Sequence, residues 1–367
     1  MFKLINEIVD GYEPSAFELT CILKLKEDEA EYLFNKAYEV KKNTSNNEIH
    51  LRAIIEFSNY CRCKCYYCGL CCQNQNLKRY RMTPDEIIEN AIEANNAGYK
   101  TVVLQSGEDM YYTEDMISYI IKEIKKNCNM AITLSVGERS YEEYKKWRND
   151  GADRFLMKHE TSNEALYNMY HPHSSFKKRM KCLRWLSDLG YQVGSGFMIG
   201  LPKTGEEDYA KDILLLKSLK VHMAGIGPFI PHKDTNLKEW KMGSAFLTMK
   251  AVALTRILIK DIQLPATTAF NVVSKSCCNQ NSKLKNESSI KALACSGESE
   301  ENNENVKKIF RSGANVLMKK VEPYKYRKLY EIYPRDEDKI KSISEERREV
   351  ERLIYSMGFN ISSRVDL

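Results

Sequence analysis

The sequence predicts an α/β protein, a (β/α)8 barrel of the TIM type with a helical cap before it and a helical extension after it. Three observations carry this. From about residue 50, apolar strand-like runs alternate with amphipathic helical stretches, eight such runs can be marked, and polar clusters fall just after the runs. A chain of 367 residues is long enough for a barrel of about 250 residues plus caps.

Residues 1–49 form the expected cap, because 14–43 show apolar spacing of three and four, enough for two short amphipathic helices. The barrel is expected over 50–320. Its strands are predicted at 51–57 (LRAIIEF), 101–105 (TVVLQ), 130–136 (MAITLSV), 153–158 (DRFLMK), 192–199 (QVGSGFMI), 222–229 (HMAGIGPF), 264–268 (LPATT) and 314–318 (ANVLM). Helices are predicted at 84–97, 113–127, 141–149, 176–189, 205–218 and 244–259, the first opened by Thr83 as N-cap and Pro84 at the first helical position. Between the last two strands, 274–306 is rich in Asn, Ser, Lys and Glu and reads as a partly disordered insertion. Residues 321–367 make the C-terminal extension, with a charged helical pattern at 335–358 that packs outside the barrel.

Hydrophobic content of 43% and charged content of 29% fit an ordinary globular protein. No window approaches the roughly 18 apolar residues of a membrane span, so no membrane association is expected. The N-terminus lacks an apolar stretch followed by a small-residue cleavage site, so a cytoplasmic location is expected. The net charge of +6 is spread over 56 basic and 50 acidic residues without a dense basic block, which reads as solvated surface and not as a nucleic-acid site.

Of the 12 cysteines, six lie between 61 and 72, too close together to staple a large fold. They read as metal ligands. Cys61, Cys65 and Cys68 have the spacing C-x3-C-x2-C just after the first strand. Three thiolates on a short loop can hold three irons of a cubane 4Fe-4S cluster and leave the fourth open to chelate a substrate. Zinc is the alternative, since a C-x2-C pair plus further cysteines can make a tetrahedral site, but zinc sites ordinarily use two separated pairs. Cys63, Cys71 and Cys72 fall outside the triad spacing and read as incidental small residues or as a substituting ligand.

With Tyr67 before the last cysteine, this loop resembles the C-x3-C-x-aromatic-C signature of the radical S-adenosylmethionine (SAM) superfamily, and the resemblance runs from about 50 to 320. It implies that cluster and SAM carry the chemistry, with no side chain as catalytic residue. It also implies roles at later strand ends. Gln105, Ser106, Gly107 and Glu108 are similar to the segment that holds the SAM amino group; Glu160 and Arg179 to residues that bind its ribose or amino end and its carboxylate; Met198, within 196–200, to the segment beside adenine.

Longer blocks resemble the HydE family of [FeFe]-hydrogenase maturases: IIEFSNYC (54–61), NLKRYRMTPDEI (76–87), VLQSGED (103–109), ADRFLMKHET (152–161), GIGPFIPHKDT (225–235), LPATTA (264–269) and SGANVLM (312–318). That resemblance implies radical attack on an iron-bound cysteine adduct carrying CO and cyanide, a precursor of the diiron subsite. It implies as partners a small organometallic or amino-acid-like substrate, scaffold and partner maturases and an external electron donor, and admits a hydrogenosome-like organelle if the source is eukaryotic. An anionic substrate wants donors inside the barrel, and Thr133, Ser135, Thr267 and Thr268 are expected to supply inward hydroxyls. Met318 and Tyr326 complete the expected pocket by resemblance.

Two departures stand out. Lys158 occupies the place where the family usually has an arginine, keeping the charge but losing the bidentate fork. No cysteine follows Cys295, so no second C-terminal cluster is expected, and Cys277, Cys278 and Cys295 lack a histidine or paired spacing for a metal. A methylornithine synthase-like lysine mutase is the rival within the superfamily, against which GIGPFIPH (225–232) argues. A non-catalytic iron-sulfur scaffold is the rival of another class, against which Glu108, Glu160 and Arg179 argue.

Overall fold

The computed structural model describes residues 1–270, 272–274, 300–332 and 341–365. Three helices come first: α1 (Phe2–Val9), α2 (Ala16–Leu23) and α3 (Glu27–Ser45). The barrel follows as β1 (Glu48–Ser58), α4 (Pro84–Asn96), β2 (Thr101–Ser106), α5 (Glu114–Asn127), β3 (Ala131–Ser135), α6 (Tyr141–Asn149) and β4 (Arg154–Leu156). It continues with α7 (Glu164–Tyr170), α8 (Phe176–Asp188), β5 (Gln192–Ser195), β6 (Met198–Ile199), α9 (Glu206–Ser218), β7 (Met223–Ala224), β8 (Gly227–Pro228) and α10 (Ala245–Leu258). Last come α11 (Glu300–Arg311), β9 (Val316–Lys320), α12 (Tyr324–Arg327), α13 (Ile343–Ser356) and β10 (Asn360–Ile361).

The strands pair in parallel in the order β9-β1-β2-β3-β4-β5-β7, with β10 extending the start of β1. Parallel pairing with helical crossovers buries both faces of the sheet, and β1 is buried along nearly its whole length. The ring closes through a stretch that is not a regular strand. Gln263 bridges Met223, and Pro265 bridges Val316. Pro265 has no N–H to give a ladder, and the Leu264 N–H turns to the Asn315 side-chain oxygen at 2.8 Å. The strand predicted at 264–268 is therefore reduced to the single bridge at Pro265, with a second bridge at Gln263 just before it, although the eighth stave stands where the alternation puts it.

The runs predicted as single strands at 192–199 and 222–229 are each broken. Gly196 adopts φ +152°, and a Cβ there would lie 2.2 Å from the Gly225 carbonyl oxygen. The two chains cross at that point, so β6 and β8 leave the barrel and pair with each other, Met198 opposite Gly227. Helix starts follow their caps closely. Thr83 Oγ accepts from Glu86 N–H while the Glu86 carboxylate accepts from Thr83 N–H, a reciprocal box that fixes the start of α4.

Sequence periodicity missed α1 and the seven-residue α7, both short. The insertion reading needs correction at its end: from Glu300 the chain is helical, so 300–306 belong to α11. Cys277, Cys278 and Cys295 lie outside the described residues. Among the described residues no helix is long and apolar enough to cross a membrane.

Candidate active site

A cavity of about 410 Å³ opens at the C-terminal ends of the barrel strands. Cys61, Cys65, Cys68 and Tyr67 line it, on the loop between β1 and α4. That loop is braced from within. The Asn59 amide donates to Lys78 O at 2.9 Å and Leu329 O at 2.8 Å, while the Arg79 guanidinium gathers the carbonyls of Leu70, Cys71 and Asn74 at 2.7–3.1 Å. A long irregular loop has many backbone acceptors to satisfy, and one guanidinium with five donors suits the task. Cys71 is buried and Cys72 exposed, whereas Cys63 also lines the cavity. Burial, then the neighbouring Cys61, pushes the Cys68 thiol up to about 12.

The predicted segment Gln105, Ser106, Gly107 and Glu108 lines the same cavity. Gly107 is required by space, since a Cβ would lie 2.2 Å from Tyr60 O and 2.7 Å from Cys61 Cβ. This close approach lets the Glu108 N–H donate to Cys61 Sγ at 3.4 Å. The Glu108 carboxylate accepts from Glu138 N–H at 2.9 Å and from Arg62 Nε at 3.2 Å. It thus ties the loop after β2 to the loop after β3.

Glu160 and Arg179 both line the cavity, but they are not each other's partners. Arg179 donates through Nε to Glu138 at 2.9 Å and through Nη1 to Lys158 O at 2.6 Å. Burial pushes the Glu138 carboxyl up, but Arg179, Ser174 and Lys178 outweigh it and hold the group below the ordinary carboxylate range. Glu160 sits at φ +63°, and its Oε2 has Lys158 Nζ at 3.3 Å. The lysine noted as a departure therefore faces the expected SAM-binding carboxylate. A left-handed non-glycine residue costs about 1 kcal/mol or more and marks a position its surroundings enforce. Here Glu160 N–H donates to Gly196 O at 2.9 Å and Met198 N–H donates to Glu160 O at 3.1 Å.

Of the predicted substrate residues, Ser135, Lys158, Thr267, Thr268 and Met318 line the cavity, as does Met198. Thr133 is fully buried on β3, on the same strand face as Ser135 but deeper, and does not reach the cavity wall. Tyr326 is also outside the cavity. Pro323 starts α12 and carries Tyr326 to the flank, where it stacks on Tyr80 and donates to Glu86 at 2.8 Å. Tyr330, one turn later, lines the cavity in its place, beside Lys320 and Glu56, which form an ion pair.

Sequence reasoning also missed Glu138, His171 and His173. Glu138 lies three residues past β3, where the rule that chemistry gathers at strand ends would have found it. The two histidines follow α7 and line the cavity. His171 stacks on Tyr167 at 4.1 Å, and its ring nitrogens lie 2.8 Å from Tyr167 O and 2.7 Å from Tyr67 Oη. A carbonyl only accepts, so Nδ1 carries a hydrogen, and in the neutral ring Nε2 accepts from the Tyr67 hydroxyl. Burial, then Arg179, lowers His171 to about 4, in keeping with a neutral ring.

The donors fit a site-differentiated 4Fe-4S cluster with SAM. Three soft thiols share one cavity wall, and Gly107 is a cradle that any Cβ would fill. The Thr267 Oγ1, on the cavity lining, is buried without a hydrogen-bond partner among the described residues, which suits a hydroxyl that meets a ligand.

Residues 55–216 match the model of the Radical SAM superfamily. The chain is 47% identical over 304 residues to the [FeFe] hydrogenase maturase subunit HydE of Thermotoga maritima, covering 83% of this chain and 79% of that protein. It is 29% identical over 265 residues to the 3-methylornithine synthase of Methanosarcina acetivorans, covering 71% of this chain and 75% of that one. Among solved structures, methylornithine synthase (PylB) matches with a TM-score of 0.79 at 23% identity over 98% of this chain and 97% of that one. The maturase HydG from Carboxydothermus hydrogenoformans matches with 0.72 at 19% identity over 97% and 78%. At such identities these two likenesses speak for the barrel fold alone.

Proposed function

Because the chain belongs to the radical SAM superfamily and, within it, to the HydE family of [FeFe]-hydrogenase maturases, we propose that it cleaves SAM reductively and acts in assembly of the hydrogenase diiron subsite. One observation carries this: the three cysteines of the C-x3-C-x2-C loop share a wall of the strand-end cavity with Glu160, Arg179 and the Gly107 backbone. When bound, the cluster supplies the electron that splits the SAM sulfonium and yields a 5′-deoxyadenosyl radical.

The chain's own residues hold, orient and shield. Cys61, Cys65 and Cys68 ligate three irons. Arg179 is anchored through Nε and Nη1, which leaves Nη2 to meet the SAM carboxylate. The Glu108 carboxylate is occupied in joining two loops, so the backbone of residues 106–108 is the part of that segment that meets the SAM amino group. Glu160 takes the ribose, with Met198 beside the adenine. The substrate, an iron-bound cysteine adduct with CO and cyanide, would be held by Ser135, Thr267, Thr268, Met318 and Tyr330 of the same cavity lining. Lys158 would supply a positive charge to the cavity beside Glu160. The cluster these cysteines would hold would draw its electron from an external donor, and the product would pass to scaffold and partner maturases.

The lysine-mutase reading is disfavoured, since the maturase relative shares 47% identity and the synthase 29%. A passive cluster scaffold would have no need of a buried arginine on the cavity lining, held in place by Glu138. The deciding experiment is anaerobic reconstitution with iron and sulfide, reduction, and addition of SAM. We expect 5′-deoxyadenosine from the native chain and none from Cys65→Ala, which should keep its native far-ultraviolet spectrum. A fully loaded native cluster that releases no 5′-deoxyadenosine would overturn the reading.

A further inference from the structure

His173 is half-buried beside the cysteine loop, on the cavity lining. Its Nδ1 lies 3.1 Å from the backbone N–H of Lys64, and its Nε2 lies 3.9 Å from Cys65 Sγ. A backbone N–H only donates, so Nδ1 must accept and bears no hydrogen. The ring is then neutral with its hydrogen on Nε2, the atom that faces the sulfur. His171, two residues earlier, holds the opposite tautomer, its Nε2 accepting from Tyr67. The segment 171–173 therefore grips the cysteine loop at three points, as acceptor from Tyr67 and from Lys64 and as donor to Cys65.

We propose that His173 is a positioning residue for the cluster ligand Cys65, donating an Nε2–H···Sγ hydrogen bond that raises the reduction potential of the cluster. This rests on the reading that Cys65 ligates a 4Fe-4S cluster. A donor to a thiolate withdraws electron density from the iron-sulfur bond and favours the reduced, more negative state, so hydrogen bonds to the sulfurs set the potential. Cys61 receives its donor from the Glu108 backbone, which no side-chain change can remove. At Cys65 the donor is a side chain and can be altered. The bond eases reduction by an external donor while lessening the driving force for SAM cleavage.

The test is an EPR-monitored redox titration of the reconstituted full chain without SAM, comparing native protein with His173→Leu and His173→Gln. The leucine variant should titrate at lower potential, with about a tenfold lower reduced-to-oxidised ratio at the native midpoint, or about 59 mV for one electron. Glutamine, which keeps an N–H, should recover part of that shift. An intact cluster with an unmoved midpoint in His173→Leu overturns the inference and leaves the functional reading standing. If the leucine variant does not load, pulsed EPR of the native chain labelled with ¹⁵N-histidine decides: a histidine hyperfine coupling absent from His173→Gln supports the bond, and no such coupling refutes it. A native chain that binds no cluster would sink the functional reading and this inference together.

Discussion

His171 is neutral because burial, then Arg179, disfavours its protonated form, and the neutral ring donates Nδ1–H to Tyr167 O while Nε2 accepts from the Tyr67 hydroxyl. Its folded pKa of about 4 lies below its ordinary 6.5, so the unfolded chain takes up the proton first as pH falls. The stability that the neutral ring contributes is whole above pH 6.5 and is lost as pH falls from 6.5 through about 4. A shift of that size corresponds to about 3 kcal/mol. Urea unfolding of cluster-free protein should show the native chain losing that much more than His171→Gln between pH 7 and 4; parallel curves would contradict it. At this scale the sequence was legible where chemistry demands a residue type at fixed spacing, as at Cys61, Cys65, Cys68 and Gly107. It was not legible where only tertiary approach makes the contact. His171 and His173 carry no spacing that ties them to residues over 100 positions earlier. Tyr326 and Tyr330 are both aromatic and four apart, and the helix opened by Pro323 decides which one faces inward.

Among the elements, the break at Gly196 does most to shape the site. Because β5 stops at Ser195 and β6 leaves the barrel, Phe197 comes to bridge Glu160, and Glu160 is held with its carboxylate on the cavity. All three atoms nearest to a Cβ at Gly196 are backbone atoms of Gly225, at 2.2–2.9 Å, and backbone cannot rotate aside. Gly196→Ala should therefore cost about 2–3 kcal/mol, by overpacking and by strain at φ +152°, and should weaken SAM binding by displacing Glu160. A denaturant midpoint within error of native, together with unchanged SAM affinity in calorimetry, would contradict both halves. The alternation of apolar runs foretold eight staves and most helix ends, since periodicity and caps act locally. It could not foretell that two runs split, because the cause is the meeting of Gly196 with Gly225, a contact between distant segments.

The parts of the whole molecule are joined by a buried lysine. Lys41, on α3 of the N-terminal cap, is fully buried and donates to the carbonyls of Phe310 at 2.9 Å and Ala314 at 3.2 Å. Those carbonyls lie at and just beyond the C-terminus of α11, where four backbone acceptors lack helical partners and a side-chain N–H satisfies them. Arg256 of α10 serves the same end through Gly313 O at 2.9 Å, and the Phe359 ring of the C-terminal extension covers Lys41 Nζ at 4.2 Å. Cap, barrel and extension thus meet at one lysine side chain. Lys41→Met keeps the apolar stem but strands two buried carbonyls, and should destabilise the whole chain by about 2–4 kcal/mol. Burial, then the nearby Arg256, lowers the pKa of Lys41 well below 10.5. The unfolded chain therefore holds the proton at higher pH than the folded one, and the stability gained from the lysine is fullest above pH 10.5 and declines as pH falls through the folded value. The native chain should accordingly gain on Lys41→Met as pH is raised from 8 toward 10.5. Thermal unfolding of both across that range measures the difference, and a gap that narrows would show that Lys41 enters the fold with its pKa raised instead.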